Sequence, residues 1–322
     1  MKSTKKAAHD FARIFGLEFQ RTPSSLGNSL AEYHIQKEAY EKKDNSIYFK
    51  ELEVQVPTAI ATPLLERYQC ALQLKKRAGF SFSVNQDGEL IAKNDAVQFI
   101  INDDEELFIL SEVFLEGVYN LITPTSKPIA LIDIGMNVGI TSLFYASREN
   151  VEKVISFEPF NPTFSMAQKN MGLNPTISSK IKANNFGLAA QDSEIRVEYS
   201  PKEKGRMGIN GLPRSEGYIA GKISSELMQL KSAGEEIAKL KQGLENNFVV
   251  CKMDTEGAEY QIIDSLFNSS LIFFADVYFI EWHEIKPVDI VARLKVSNFN
   301  IIETTSGFFH SGMIYAIKNE SR

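Results

Sequence analysis

The sequence predicts an α/β fold, in which a doubly wound, seven-stranded and mostly parallel sheet follows an N-terminal α+β extension. After Pro128, short apolar runs alternate with helix-like segments, a texture typical of parallel strands joined by crossover helices. The chain has 322 residues, 43% of them hydrophobic, which is enough for one large domain and an extension. We therefore predict an N-terminal part, residues 1–127, and a Rossmann-like domain, residues 128–322.

The N-terminal part contains no recognisable catalytic pattern. It is polar, with helix-like stretches at 7–15 and 30–43. A β-hairpin is predicted at 80–84 and 89–92, because the Asp87-Gly88 pair between them supplies the positive φ of a tight turn. Residues 97–101 extend this small sheet. Asp103 then caps a helix that ends towards Gly117.

Seven apolar runs in the second part predict the strands of the large sheet. They are residues 129–134, 153–157, 180–183, 248–253, 275–281, 300–304 and 312–317. An insertion at about 200–245 separates the third run from the fourth, and its Lys/Glu-rich end predicts a helix at 225–243 with a solvated face.

Composition excludes several classes of protein. The 35 basic and 41 acidic residues give a net charge of −6, so nucleic acid is not expected as a partner. Cys70 and Cys251 are far apart, which disfavours a disulfide framework or a zinc site. No apolar run reaches the ~20 residues needed for a membrane span, and residues 1–19 lack the apolar stretch of a signal peptide. We expect a soluble, cytoplasmic protein.

A glycine-punctuated turn follows the first strand of the large domain. Gly135 and Gly139 let the backbone approach a ligand, and the helix predicted at 140–147 points its positive end at the turn. Taken alone, this motif fits a tight structural connection equally well. The next strand ends at Glu158, about twenty residues after the glycines, where an acid accepts hydrogen bonds from a ribose diol. Dinucleotide-binding folds share that acid.

A third element narrows the choice of cofactor. The strand at 248–253 runs into Asp254, Glu256 and Glu259 around a glycine turn. Three carboxylates at the carboxyl end of the sheet repel a pyrophosphate, but they suit a cationic ligand or a hydroxyl that must be deprotonated.

The sequence resembles the FkbM-type S-adenosylmethionine-dependent methyltransferases, a branch of the class I Rossmann-like methyltransferases. The matching motifs are DIGMNVG at 133–139, FEP at 157–159, KMDTEGAE at 252–259 and IEWHE at 280–284, with the lead-in ELFILSEVFLEGVY at 106–119. The resemblance implies a methyl donor held at the glycine turn and Glu158, with an acceptor hydroxyl near the acidic turn. The implied donor-site residues are Tyr119, Asp133, Gly135, Asn137, Gly139, Glu158, Asn185, Asp254 and Glu256.

Three features depart from the family pattern. Met136 stands where a small residue is usual. No acid lies at 184–188 to hold the adenine amino group, so Asn184 or Asn185 must serve with backbone groups. The helix predicted at 225–243 is longer than the family's link into the fourth strand.

The acceptor of such an enzyme needs a general base, for which Asp254, Glu281 and His283 are the candidates. An ordinary polar residue past a strand end accounts for His283 equally well, and Asp254 fits a helix cap as an alternative. We predict an O-methyl acceptor on a glycan or secondary metabolite. Alternatives are a nicotinamide-dinucleotide oxidoreductase, which the Gly-x-x-x-Gly spacing disfavours, and a non-catalytic interaction module.

No metal is expected, because the two cysteines and four histidines show no ligand spacing. The acidic residues at 254–259 leave one alternative open, because three neighbouring carboxylates can hold magnesium.

Overall fold

The computed structural model describes residues 35, 39–120, 126–199, 208, 224–283, 286–305 and 311–319. The helix predicted at 7–15 and most of the one predicted at 30–43 lie outside these residues. The C-terminal end of the helix predicted at 30–43 is wrong, because Tyr40–Lys43 is a strand that pairs antiparallel with Ser46–Phe49.

Within residues 39–120, two small antiparallel sheets and three α-helices are the main elements. The strands are β1 Tyr40–Lys43, β2 Ser46–Phe49, β3 Val54–Pro57, β4 Ser81–Val84, β5 Leu90–Lys93 and β6 Gln98–Ile101. The helices are α1 Thr62–Glu66, α2 Tyr68–Ala78 and α3 Asp104–Ser111. The predicted hairpin is β4 and β5, and β6 extends it as expected.

The predicted cap at Asp103 is present as a reciprocal pair of hydrogen bonds. The Asp103 side chain accepts from the backbone N–H of Glu106, and the Glu106 side chain accepts from the backbone N–H of Asp103. After Ser111 the helix widens into one π-helical turn, Glu112–Glu116, which ends at the left-handed Gly117. Turns of this kind are frequent at functional sites.

The second part contains the predicted seven-stranded sheet. Its strands are β7 Ile129–Ile134, β8 Val151–Phe157, β9 Ile181–Asn184, β13 Phe248–Met253, β14 Val277–His283, β15 Phe299–Glu303 and β16 Ser311–Lys318. Their order is β15-β16-β14-β13-β7-β8-β9, and β16 is antiparallel to both of its neighbours. The fold class predicted from the sequence is therefore confirmed.

Helices connect these strands and cover both faces of the sheet. They are α4 Ile140–Ala146, α5 Asn161–Leu173, α6 Pro175–Ser178, α7 Ala233–Lys241, α8 Glu259–Asn268 and α9 Val288–Val296. One hydrophobic cluster on one face includes Phe49, Leu74, Leu107, Leu131 and Val250, and so crosses the boundary predicted at residue 127. The N-terminal part thus shares a core with the sheet, and the division into two domains stays a prediction.

The insertion differs from its prediction. The first eight residues of the helix predicted at 225–243 lie instead in the strand β12, Ser224–Ser232. This strand pairs antiparallel with β11 Ser193–Tyr199 and parallel with β10 Gly187–Ala189. Only Ala233–Lys241 of the predicted segment is helical. Met228 and Leu230 on alternate positions of β12 are buried, so the strand pattern is set by packing and pairing. Within the described part of the chain, no helix has the length and apolar character that crossing a bilayer requires.

Candidate active site

The turn after β7 is held against the loop after β13. Gly135 has φ of +84°, and a Cβ atom there would lie 1.8 Å from the carbonyl oxygen of Asp254. Only glycine therefore permits this approach. Asn137 also has a positive φ of 53°, and its side-chain oxygen accepts a 2.8 Å hydrogen bond from the N–H of Val138, which fits the tolerance of asparagine for this conformation.

Glu158, at the carboxyl end of β8, reaches across to the glycine turn. One carboxylate oxygen accepts from the N–H of Asn137 at 2.9 Å, and the other from the N–H of Phe160 at 3.0 Å. Burial raises the pKa of Glu158 to about 7, although both N–H groups favour the carboxylate. Each oxygen keeps a lone pair for a ligand donor.

An open cleft lies over these two turns. Its lining includes the predicted residues Gly135, Asn137, Glu158, Asp254 and Glu256. Met228 and Leu230 of β12 form an apolar part of the wall, so the insertion contributes to the site. Four predicted donor-site residues lie outside this lining, namely Tyr119, Asp133, Gly139 and Asn185.

Asp133 and Lys252 form a buried pair beneath the cleft. Lys252 Nζ lies 3.4 Å from Asp133 and 3.4 Å from Asp254, and it donates a 2.5 Å hydrogen bond to the carbonyl of Gly135. Ser142 donates a 2.6 Å bond to the second oxygen of Asp133. Burial raises the pKa of Asp133 despite the lysine. The pair fixes the relative positions of β7 and β13 at the edge where ligands bind.

The two asparagines predicted to meet adenine are engaged with backbone. Asn184 Nδ2 donates to the carbonyl of Ser156 at 3.0 Å, and Asn185 Nδ2 donates to the carbonyl of Glu158 at 2.9 Å. Asn185 therefore braces the strand end that carries Glu158, and its side-chain oxygen is the atom left for a ligand.

The acidic turn at 254–259 is organised by Glu259. This carboxylate is fully buried and accepts from the Thr255 hydroxyl at 3.0 Å and the Gly257 N–H at 2.8 Å. It also accepts from the backbone N–H of His283 at 2.9 Å, which ties the turn to the end of β14. Because the helix α8 begins only at Glu259, Asp254 is not its cap.

The imidazole of His283 is enclosed by carboxylates. Its Nδ1 lies 3.4 Å from Glu259, and its Nε2 lies 3.6 Å from Glu256 and 3.8 Å from Glu281. Burial disfavours the imidazolium, but the adjacent Glu259 and the charges of Glu256 and Asp254 outweigh it and raise the pKa of His283 to about 10. A pKa this high favours the protonated ring at neutral pH, which disfavours His283 as the general base.

Glu281 lies near the side chains of Tyr119 and Glu112. The Tyr119 hydroxyl donates to it at 3.4 Å, so Tyr119 lies on the Glu281 side and not over the cleft. Burial and the neighbouring Asp254 raise the pKa of Glu281 above its ordinary value of 4.5. Burial also raises the pKa of Glu112 well above 4.5, with Glu281 and Glu116 adding to the effect. The π-helical turn thus brings a second glutamate towards Glu281.

The sequence analysis assigned no role to Lys252 or to Glu112. A lysine inside an otherwise apolar strand is the signal that identifies Lys252, since a buried charge requires a partner. Glu112 carries no such signal, because the widened helical turn decides which way it faces.

The chain is similar to known methyltransferases. Residues 133–301 match the family described as the methyltransferase FkbM domain, which covers just over half of the chain. Methyltransferase sdnD of Sordaria araneosa is 25% identical over 241 residues, 68% of this chain and 92% of that protein. Methyltransferase 1 of Beauveria bassiana is 23% identical over 168 residues, 49% of this chain and 66% of that protein.

A solved structure of a methyltransferase FkbM from Methylobacillus flagellatus covers 62% of this chain and 45% of its own, with 12% identity and a TM-score of 0.40. The match of the FkbM domain over residues 133–301 assigns the family. The chain belongs to the FkbM family of S-adenosylmethionine-dependent methyltransferases.

Proposed function

We propose that the protein transfers the methyl group of S-adenosylmethionine to a hydroxyl of a glycan or secondary metabolite. The observation that carries the proposal is the bridge from Glu158 to the glycine turn, next to the carboxylates at the end of β13. A carboxylate in this position suits the ribose diol, and the carboxylates suit a cationic sulfonium.

We place the donor in the cleft over Gly135, Asn137 and Glu158. Its ribose would donate to the free lone pairs of Glu158, and its cationic end would lie towards Asp254. Lys252 and Asp133 act as positioning residues beneath it, because they hold the carbonyl of Gly135 and the carboxylate of Asp254 in place.

We place the acceptor beyond Asp254, near Glu281. In the reaction the acceptor oxygen bonds to the methyl carbon while the carbon–sulfur bond breaks. The electron pair of that bond stays on sulfur as a neutral thioether. Much of the barrier reduction comes from positioning the two reactants.

The hydroxyl proton passes to a carboxylate, and we assign this role to Glu281. Its raised pKa brings it nearer to the operating pH of a general base, whereas the imidazolium of His283 has no free lone pair at neutral pH. Asp254 then orients the hydroxyl, and Tyr119 holds the Glu281 carboxylate.

Two measurements test this function. Calorimetry with S-adenosylmethionine, its demethylated product and nicotinamide dinucleotides should give binding of the first two and none of the last. Incubation with methyl-labelled donor and cell extract, followed by identification of the labelled product, should yield a methyl ether. Failure to bind either sulfur compound contradicts the donor site, and a label on carbon or nitrogen contradicts the hydroxyl acceptor.

A further inference from the structure

The ends of β13 and β14 bring three different ligand-bearing side chains to one point. Asp254, Glu256 and His283 each offer one ligand atom, and these atoms all lie within 4.8 Å of one another. A divalent cation with bonds of about 2.0–2.2 Å holds its ligands roughly 3–4.4 Å apart, so a small contraction is sufficient. Glu281, 3.8 Å from His283 Nε2, lies beside the same point.

The imidazole is oriented for this point by a separate carboxylate. Glu259 is fully buried, lies 3.4 Å from Nδ1 and accepts the backbone N–H of His283. Nε2 is thereby directed towards Glu256 and Glu281. A carboxylate behind a histidine, with the opposite nitrogen facing other ligands, is the arrangement that supports metal-bound histidines. It distinguishes this group from a set of neighbouring acids.

The charges around the point are unbalanced. Four carboxylates, those of Asp254, Glu256, Glu259 and Glu281, surround His283, and a bound cation would displace the proton that its Nε2 carries. Lys252 contacts Asp254 but is shared with Asp133. A divalent cation between Asp254 and Glu256 would neutralise this excess.

We propose that Asp254, Glu256 and His283 form a binding site for a divalent cation of the Mn²⁺ class. One imidazole nitrogen with carboxylate oxygens suits a first-row cation better than Mg²⁺, which prefers oxygen ligands alone. The inference rests on the proposed hydroxyl acceptor for its purpose, since the cation would hold that oxygen and promote loss of its proton. It replaces the expectation of metal independence drawn from the spacing of cysteines and histidines.

The site is tested by electron paramagnetic resonance of Mn²⁺ added to chelator-treated protein. Free Mn²⁺ gives a sharp spectrum that is lost on binding. The full chain should bind one equivalent, and Glu256→Gln and His283→Gln should each weaken binding about 100-fold. Glu245→Gln is the matched control, because Glu245 is exposed and precedes β13 at the opposite edge of the sheet. This control should bind like wild type.

The proposal is overturned if the wild-type protein does not bind Mn²⁺. It is also overturned if both variants bind Mn²⁺ as tightly as wild type. Thermal unfolding of each variant identifies one that has lost its fold, and the other then decides the outcome. Calorimetry with the demethylated donor, run without Mn²⁺, keeps the two proposals separate. If the protein binds the demethylated donor but does not bind Mn²⁺, the cation site alone is rejected.

Discussion

Glu158 accepts a 2.9 Å hydrogen bond from the backbone N–H of Asn137, which joins the end of β8 to the turn after β7. The two residues are 21 positions apart, and the bond fixes the carboxylate at the rim of the cleft. A ligand that uses both the turn and the carboxylate therefore meets a preformed site.

The first prediction concerns donor binding by Glu158. Glu158→Gln should weaken binding of the demethylated donor by about 1.5–3 kcal/mol, the range for hydrogen bonds to a charged group. Calorimetry measures it. Glu152→Gln at the other end of β8 is the control, because Glu152 lies far from the cleft lining. Equal dissociation constants for the two variants would contradict the assignment.

The same residue predicts a pH dependence. Since the pKa of Glu158 is raised to about 7, the carboxylate that accepts ribose hydrogen bonds becomes dominant above that pH. Donor affinity should therefore rise between pH 6 and pH 8 in wild type. Glu158→Gln should flatten this rise, and a slope that persists in the variant would assign it to another group.

The second prediction concerns the chemical step. Glu281→Gln should lower kcat by about 10²–10⁴-fold and remove the acidic limb of the pH profile, because general-base catalysis is lost. Steady-state kinetics on the acceptor checks it. In assays without added divalent cation, His283→Gln should keep that limb, because the pKa of His283, raised to about 10, lies well above it. A limb lost in His283→Gln and kept in Glu281→Gln would reverse the assignment.

A third prediction separates orientation from donor binding at Asp254. Asp254→Asn should lower kcat far more than it weakens donor binding, because asparagine keeps the shape and one acceptor oxygen but loses the charge. Calorimetry with the donor and turnover on the acceptor are compared. Equal losses in the two measurements would place Asp254 in ground-state binding.

A fourth prediction addresses the buried Lys252. Lys252→Met should destabilise the fold by about 3–5 kcal/mol at pH 8, because Asp133 is left buried without its cation. Asp133 can take up a proton instead, so the loss should shrink at pH 5. Urea unfolding measures the free energy of unfolding at both pH values. Lys169→Met, which removes an exposed pair with Glu89, should cost no more than about 1 kcal/mol.

The last prediction uses the direction in which folding changes the pKa of Glu112. Its pKa is higher in the folded protein than its ordinary 4.5, so its protonated form contributes stability below pH 4.5 that is lost as pH rises through the folded-state pKa. Glu112→Gln should therefore be more stable than wild type at pH 8, and less distinct from it at pH 5. An equal difference at both pH values, measured by urea unfolding, would contradict the buried charge.

The sequence alone was sufficient to predict the seven-stranded central sheet. The strand predicted at 129–134 is Ile129–Ile134, and the one predicted at 248–253 is Phe248–Met253. These strands are buried on both faces and read as continuous apolar runs, so local composition identifies them. Gly135 and Glu158 follow such runs directly, and parallel strands bring their ends to one edge.

Tertiary structure decided the insertion and the side-chain pairs of the site. Ser224–Ser232 is charged enough to predict a helix, but its pairing with Ser193–Tyr199 makes it a strand. Glu112 approaches Glu281 only through the π-helical turn, and Nε2 of His283 faces Glu256 only because Glu259 holds the ring. Such contacts join residues from separate elements, and their geometry depends on how those elements pack, which local sequence patterns do not encode.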